Sequence, residues 1–144
     1  MKAEVSIVEG YPKATFINIF KVTPENQAEV ARLLAAANDE VMCKIPGFIT
    51  STIHKSDDGL MVINYVQWES KESFLQIFKY PQAIPHMKAV TPLVVASERH
   101  FFDVGRVQLP TPDPAFERPP SPDSAVASLA ATYQDRERVS HASR

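Results

Sequence analysis

Apolar residues along the first hundred positions follow two rhythms. Ala14 to Val22 (Ala-Thr-Phe-Ile-Asn-Ile-Phe-Lys-Val) is rich in aromatic and β-branched side chains and stops at Thr23-Pro24. This predicts a first strand running into a helix with Thr23 as N-cap and Pro24 at the first helical position. Val30, Leu33, Leu34, Ala37 and Val41 then recur at the helical period while Glu25, Glu29, Arg32 and Glu40 fall elsewhere, the pattern of an amphipathic helix lying on a sheet. Pro46-Gly47 ends it, and Phe48 to Lys55 sets Phe, Thr, Thr and His against Ile, Ser, Ile and Lys as a second strand. In the next run Leu60, Val62, Asn64, Val66 and Trp68 share one face, and Met61, Ile63, Tyr65, Gln67 and Glu69 the other.

The Asp57-Asp58-Gly59 turn suits a three-residue hairpin loop with Gly59 in the left-handed position. That register pairs Ser56 with Leu60 and sets His54 opposite Val62, diagonal to Asn64 and on its face; a two- or four-residue loop would turn His54 to the other face. After Glu69, Ser70 caps a helix carrying Phe74, Leu75, Ile77 and Phe78, Pro81 interrupts it, and Pro85 opens a second piece through Val90. Pro92 leads into a last strand from Val94 to Val104.

The order β-α-β-β-α-β predicts an α+β, ferredoxin-like sandwich with both helices on one face of a four-stranded antiparallel sheet. Met61, Ile63 and Tyr65 make the uncovered face apolar as well, so a second copy laying its sheet on this one, a homodimeric α/β barrel, is the expected cover. The domain is expected to span 14–105, after an N-terminal extension over 1–13. Six of the twelve prolines fall between Pro110 and Pro122, so 106–144 reads as an extended Pro-rich arm. Val126, Leu129, Ala130 and Tyr133 are spaced for a short terminal helix within it.

Composition removes several function classes. A net charge of -2 offers no basic footprint for nucleic acid, and no apolar run approaches the roughly 20 residues needed to cross a bilayer. The start Met-Lys-Ala-Glu-Val lacks the apolar core of a secretory signal, and the single Cys43 cannot form an internal disulfide, so a cytoplasmic protein is expected. No Cys/His/carboxylate group has metal-ligand spacing and no Gly-rich loop follows a strand, so neither a metal nor a nucleotide cofactor is expected.

The chemistry concentrates in the third strand. A buried amide without a partner costs roughly 1–3 kcal/mol, so Asn64 on an apolar wall needs either a structural hydrogen bond or a polar visitor to a pocket. Trp68 on the same face is either core or part of that pocket.

Ile45-Pro46-Gly47-Phe48, His54 followed by Ser56-Asp57-Asp58-Gly59, and Asn64-Tyr65-Val66-Gln67-Trp68-Glu69-Ser70 together resemble the antibiotic biosynthesis monooxygenase family, over roughly Thr15 to Val104. The combination of His54, Asn64 and Trp68 is similar to its cofactor-independent branch, which converts aromatic polyketide phenols to quinones. The resemblance implies a dimeric ferredoxin-like fold and a pocket between sheet and helices for a small aromatic substrate and O2. It needs no flavin or metal, because an electron-rich phenolate or carbanion can itself reduce dioxygen. In that reading Asn64 and the Trp68 indole hold substrate oxygens, and His54 accepts or relays a proton. Phe74, Phe78, His86 and Lys88 are the substrate-binding candidates. Phe74 stands where some members have a tyrosine, and Lys88 is the nearest counterpart to a later arginine, which implies a more apolar pocket. His86 also keeps a second reading open, haem binding or degradation, with Asn18 as its other support; a non-catalytic module for a small aromatic ligand is the third. His100 and His141 are given no role.

Overall fold

The computed structural model describes residues 2–10, 13–116 and 123–142, with side chains through 135. It divides into two compact units, 1–107 and 108–144. In the first, β1 (Ala14–Lys21), α1 (Pro24–Glu40), β2 (Phe48–Lys55), β3 (Met61–Trp68), α2 (Lys71–Leu75), α3 (Ala83–Val90) and β4 (Ala96–Phe102) follow in order. The strands form one antiparallel sheet in the order β2-β3-β1-β4, the ferredoxin-like arrangement. The second unit holds α4 (Ser124–Ala142), where Val126, Leu129 and Tyr133 are exposed. The charged run through Arg138 and His141 has side chains outside the described residues, as do the prolines at 119, 120 and 122.

The helical stripe of α1 buries Val30, Leu34 and Ala37, continued by Val41, against Phe20, Val62 and Phe16, Val66 on even-numbered positions of β1 and β3. Thr23 sits in extended conformation at the N-cap with Pro24 behind it, and its carbonyl, not its hydroxyl, accepts from Asn26 and Gln27. Gly47 at φ +91° lets the chain pass so close to Ser73 that any Cβ would collide with that side chain.

The second helical segment is more broken than its apolar spacing suggests. Ser70 caps α2 by accepting from the Ser73 amide at 3.1 Å, but after five residues the chain tightens into a 3-10 turn over Gln76–Lys79. α3 starts at Ala83, two residues before Pro85, because a proline within the first turn removes an N–H that has no helical partner there. β4 is shorter at both ends than the expected run from Val94 to Val104.

The hairpin register differs from expectation in a way that matters for the site. Ser56 pairs with Met61, not Leu60: its amide donates to the Met61 carbonyl and its hydroxyl accepts from the Met61 amide at 2.8 Å. Asp58 accepts from the Ser56 hydroxyl at 2.7 Å and the Leu60 amide at 2.9 Å, organising a four-residue loop with Gly59 at φ +78°. His54 therefore lies opposite Ile63, on the face away from Asn64. A bulge at Ile49 swings Phe48 onto Trp68 while Thr50, Thr52 and His54 stay on the other side.

The Ser56 hydroxyl, followed by the Leu60 amide, holds the Asp58 carboxyl below the usual carboxylate range. A depressed native value means stability present above the unfolded value and lost as pH falls through the native one. Asp58→Ala is expected to cost about 1 kcal/mol at neutral pH, discounted because the group is largely solvated, and almost nothing in strong acid. Urea titrations at both pH values check this; an equal loss at both would remove the charge from the explanation.

The sheet face away from the helices carries half-exposed Ile17, Ile19, Met61, Ile63 and Tyr65. The N-terminal segment covers one end of it: Gln67 Nε2 donates to the Ser6 carbonyl at 2.8 Å, and the Gly10 amide to Val104 at 3.2 Å. No helix among the described residues is long and apolar enough to cross a membrane.

Candidate active site

Between the sheet and the helices lies a cavity of about 690 Å3, well within the size range of small-molecule sites. Its floor follows strand periodicity: Phe16, Asn18 and Phe20 from β1, Asn64, Val66 and Trp68 from β3, Ser97 and Arg99 from β4. Leu34, Ala37 and Asn38 of α1 form one wall, and side chains between Phe74 and Val90 supply the other, among them Ile77, Tyr80, His86 and Met87. Phe74 is the hub of an aromatic cluster, with ring centroids 4.4 Å from Phe16, 5.3 Å from Phe101 and 5.9 Å from Trp68. Its position in the packing explains why an apolar ring fits there.

The few polar atoms in this greasy space are arranged unequally. Asn38 Nδ2 donates to Ser51 Oγ at 2.7 Å, and the Ser51 hydroxyl donates to Asn64 Oδ1 at 2.6 Å. This relay from α1 through β2 to β3 occupies the Asn64 oxygen and leaves Nδ2 without a protein acceptor among the described residues. Trp68 is 2% exposed, yet its Nε1 has no hydrogen-bond partner among the described residues, and the same is true of the buried Asn18 Oδ1. Asn18 pairs directly with Asn64 on one side and with Arg99 on the other, so three polar side chains cross the floor in one row. Leaving the Trp68 Nε1 and Asn18 Oδ1 groups buried without a partner costs roughly 1–3 kcal/mol each, a cost that a ligand with its own donors and acceptors removes.

His86, on α3, is 17% exposed and places Nε2 3.1 Å from Glu40 Oε2 at the end of α1. Among the described residues no group of three His, Cys, Asp or Glu side chains could hold a metal ion.

The fold thus brings Asn64, Trp68, Phe74, Phe78 and His86 to one cavity, with Phe78 at the rim and 73% exposed. Two expected residues are elsewhere. His54 is exposed on the opposite sheet face, because the loop has four residues. Lys88 is not among the residues lining the cavity but lines an adjoining shallow depression with Ile84, Met87, Thr91 and Pro92, one helical position away from the cavity-facing Met87. The cationic group in the cavity is instead Arg99, which no helix pattern could indicate. Asn18 was visible by the logic that singles out Asn64, an amide in an otherwise apolar strand; Ser51, Asn38, Tyr80 and Glu40 carried no such signal.

Residues 14–89 match the family model described as antibiotic biosynthesis monooxygenase. The chain belongs to this family. It is 38% identical over 72 residues to tetracenomycin-F1 monooxygenase of Streptomyces glaucescens, a match covering 50% of this chain and 64% of that protein, so less than two thirds of the curated relative is spanned. Among solved structures, SnoaB, a cofactor-independent oxygenase from Streptomyces nogalater, superposes with a TM-score of 0.54 at 28% identity, over 70% of this chain and all of that one. The ActVA-Orf6 monooxygenase of Streptomyces coelicolor, solved in complex with nanaomycin D, gives a TM-score of 0.61 at 26% identity, over 68% and 92% of the two chains.

Proposed function

We propose that this family member is a cofactor-independent monooxygenase that oxidises a polycyclic phenol or anthrone-like aromatic to a quinone with O2. One observation carries the reading: a largely apolar cavity whose Trp68 Nε1, Asn18 Oδ1 and Asn64 Nδ2 lack partners among the described residues. Flat aromatic rings suit the walls, and ring oxygens suit the donors. The likeness to a monooxygenase and to a cofactor-independent oxygenase supports an oxygenation as the reaction class.

The chemistry balances with substrate and dioxygen alone. Loss of a proton leaves a phenolate or carbanion that passes one electron to O2, and the resulting radical pair combines as a carbon-bound peroxide. Removal of the second C–H proton, with cleavage of the O–O bond, leaves a carbonyl and water, so a CH2 becomes C=O as O2 takes four electrons. Asn64 and Trp68 stabilise the negative charge that builds on the ring oxygen, where preorganised donors count most. Purified protein treated with chelator should consume O2 only when an anthrone is added, and adding haem or flavin should not raise the rate. Uptake that requires either cofactor would sink the proposal.

The reading includes a homodimer, because Ile17, Ile19, Met61, Ile63 and Tyr65 form an apolar sheet face that the helices leave open. Light scattering should give twice the chain mass; a stable monomer at micromolar concentration would contradict it.

A further inference from the structure

We propose that His86, oriented by Glu40, is the general base of this cavity; the inference rests on the oxygenase reading above and names the residue that moves its protons. The reaction needs a group that takes a proton from the substrate and later returns it, and His54 cannot reach the cavity from the far face of the sheet. His86 lines the cavity and is largely buried, with Nε2 3.1 Å from Glu40 Oε2. In the proposed arrangement Nε2 carries the ring hydrogen toward the carboxylate, which can only accept, and Nδ1 keeps the lone pair. Glu40 is 46 residues away in sequence and comes from a different helix, so the pair exists only because α1 and α3 pack side by side.

Of the side-chain types lining the cavity, imidazole is the one that ordinarily exchanges protons near neutral pH. Glu40 faces His86 from α1; Tyr80, ahead of α3, and Arg99, from β4, share the cavity with it; and Lys88, on α3 itself, lines the adjoining depression. In the proposed cycle Nδ1 takes the first substrate proton as the carbanion forms and returns it to the peroxide oxygen. It then takes the second C–H proton as the O–O bond breaks and delivers it to the departing hydroxide, which leaves as water. His86 ends as it began. Glu40 acts through His86 as a positioning residue, holding the ring with its basic nitrogen free.

The test is the pH profile of turnover with an anthrone, measured for the full chain, His86→Gln and Glu40→Gln. His86→Gln should lower kcat by about 10²-fold at pH 6–7, the low end for a general base, and recover as alkali ionises the substrate unaided. Glu40→Gln should fall between the two with KM unchanged, and in an anaerobic complex at pH 6 the phenolate absorption of bound substrate should weaken in both variants. Wild-type turnover with an unchanged profile in His86→Gln overturns this inference and leaves the oxygenase reading standing. Wild-type protein that neither binds nor oxygenates the anthrone overturns the oxygenase reading, and this inference with it.

Discussion

Asn64→Ala is expected to lower turnover by about 10²- to 10³-fold, the range found when one donor to a developing oxyanion is removed. The expectation follows from the fixed orientation of the amide. With Oδ1 held by the Ser51 hydroxyl, and Ser51 held by Asn38, Nδ2 has no acceptor among the described residues while Asn64 lines the cavity. A donor that need not reorient as charge develops contributes to the transition state without a reorganisation cost. Alanine removes the donor but opens little space beside Val62 and Val66, and the freed Ser51 hydroxyl can still bond to water. Folding should survive with a loss of about 1 kcal/mol. Steady-state kinetics beside a urea titration separates the two effects, and turnover that survives intact would assign Asn64 to the structure alone.

Trp68→Phe should have an effect of similar size on turnover, about 10²-fold, with a disproportionately small effect on stability. Trp68 is 2% exposed and stacks edge-on against Phe48 and Phe74, so a smaller ring there forfeits packing. It also removes a buried N–H that has no partner among the described residues, recovering roughly 1–3 kcal/mol. The two changes oppose each other in the free protein, whereas only the loss remains once substrate is bound. A variant that loses several kcal/mol of stability while keeping its turnover would make Trp68 a core residue and no more.

What could be read in the sequence was whatever depends on neighbours along the chain. The bounds of β2, the start of α1 at Thr23-Pro24 and the shared face of Val62, Asn64, Val66 and Trp68 follow from local periodicity and capping. The side of the sheet on which His54 falls does not, because it depends on one residue of loop length, decided by Asp58 bonding to both Ser56 and the Leu60 amide. Lys88 missed the cavity for a related reason: a break in the helix at Tyr80-Pro81 resets which faces of α3 turn inward. The Asn38–Ser51–Asn64 relay and the His86–Glu40 pair join residues from different elements, and no spacing in a single chain encodes such meetings. Arg99 was hidden because one cation in a strand of mixed residues has no periodic signature, although its register with Asn18 follows once the sheet order is known.

The most direct test of the central claim is a turnover under 18O2 with chelator-treated protein and an anthrone in ordinary water. The account predicts one 18O atom in the new quinone carbonyl, the second in water, and one O2 consumed per quinone formed, with no added cofactor. Quinone oxygen drawn from solvent, after correction for carbonyl exchange, or label incorporation that requires haem, flavin or metal, would contradict it.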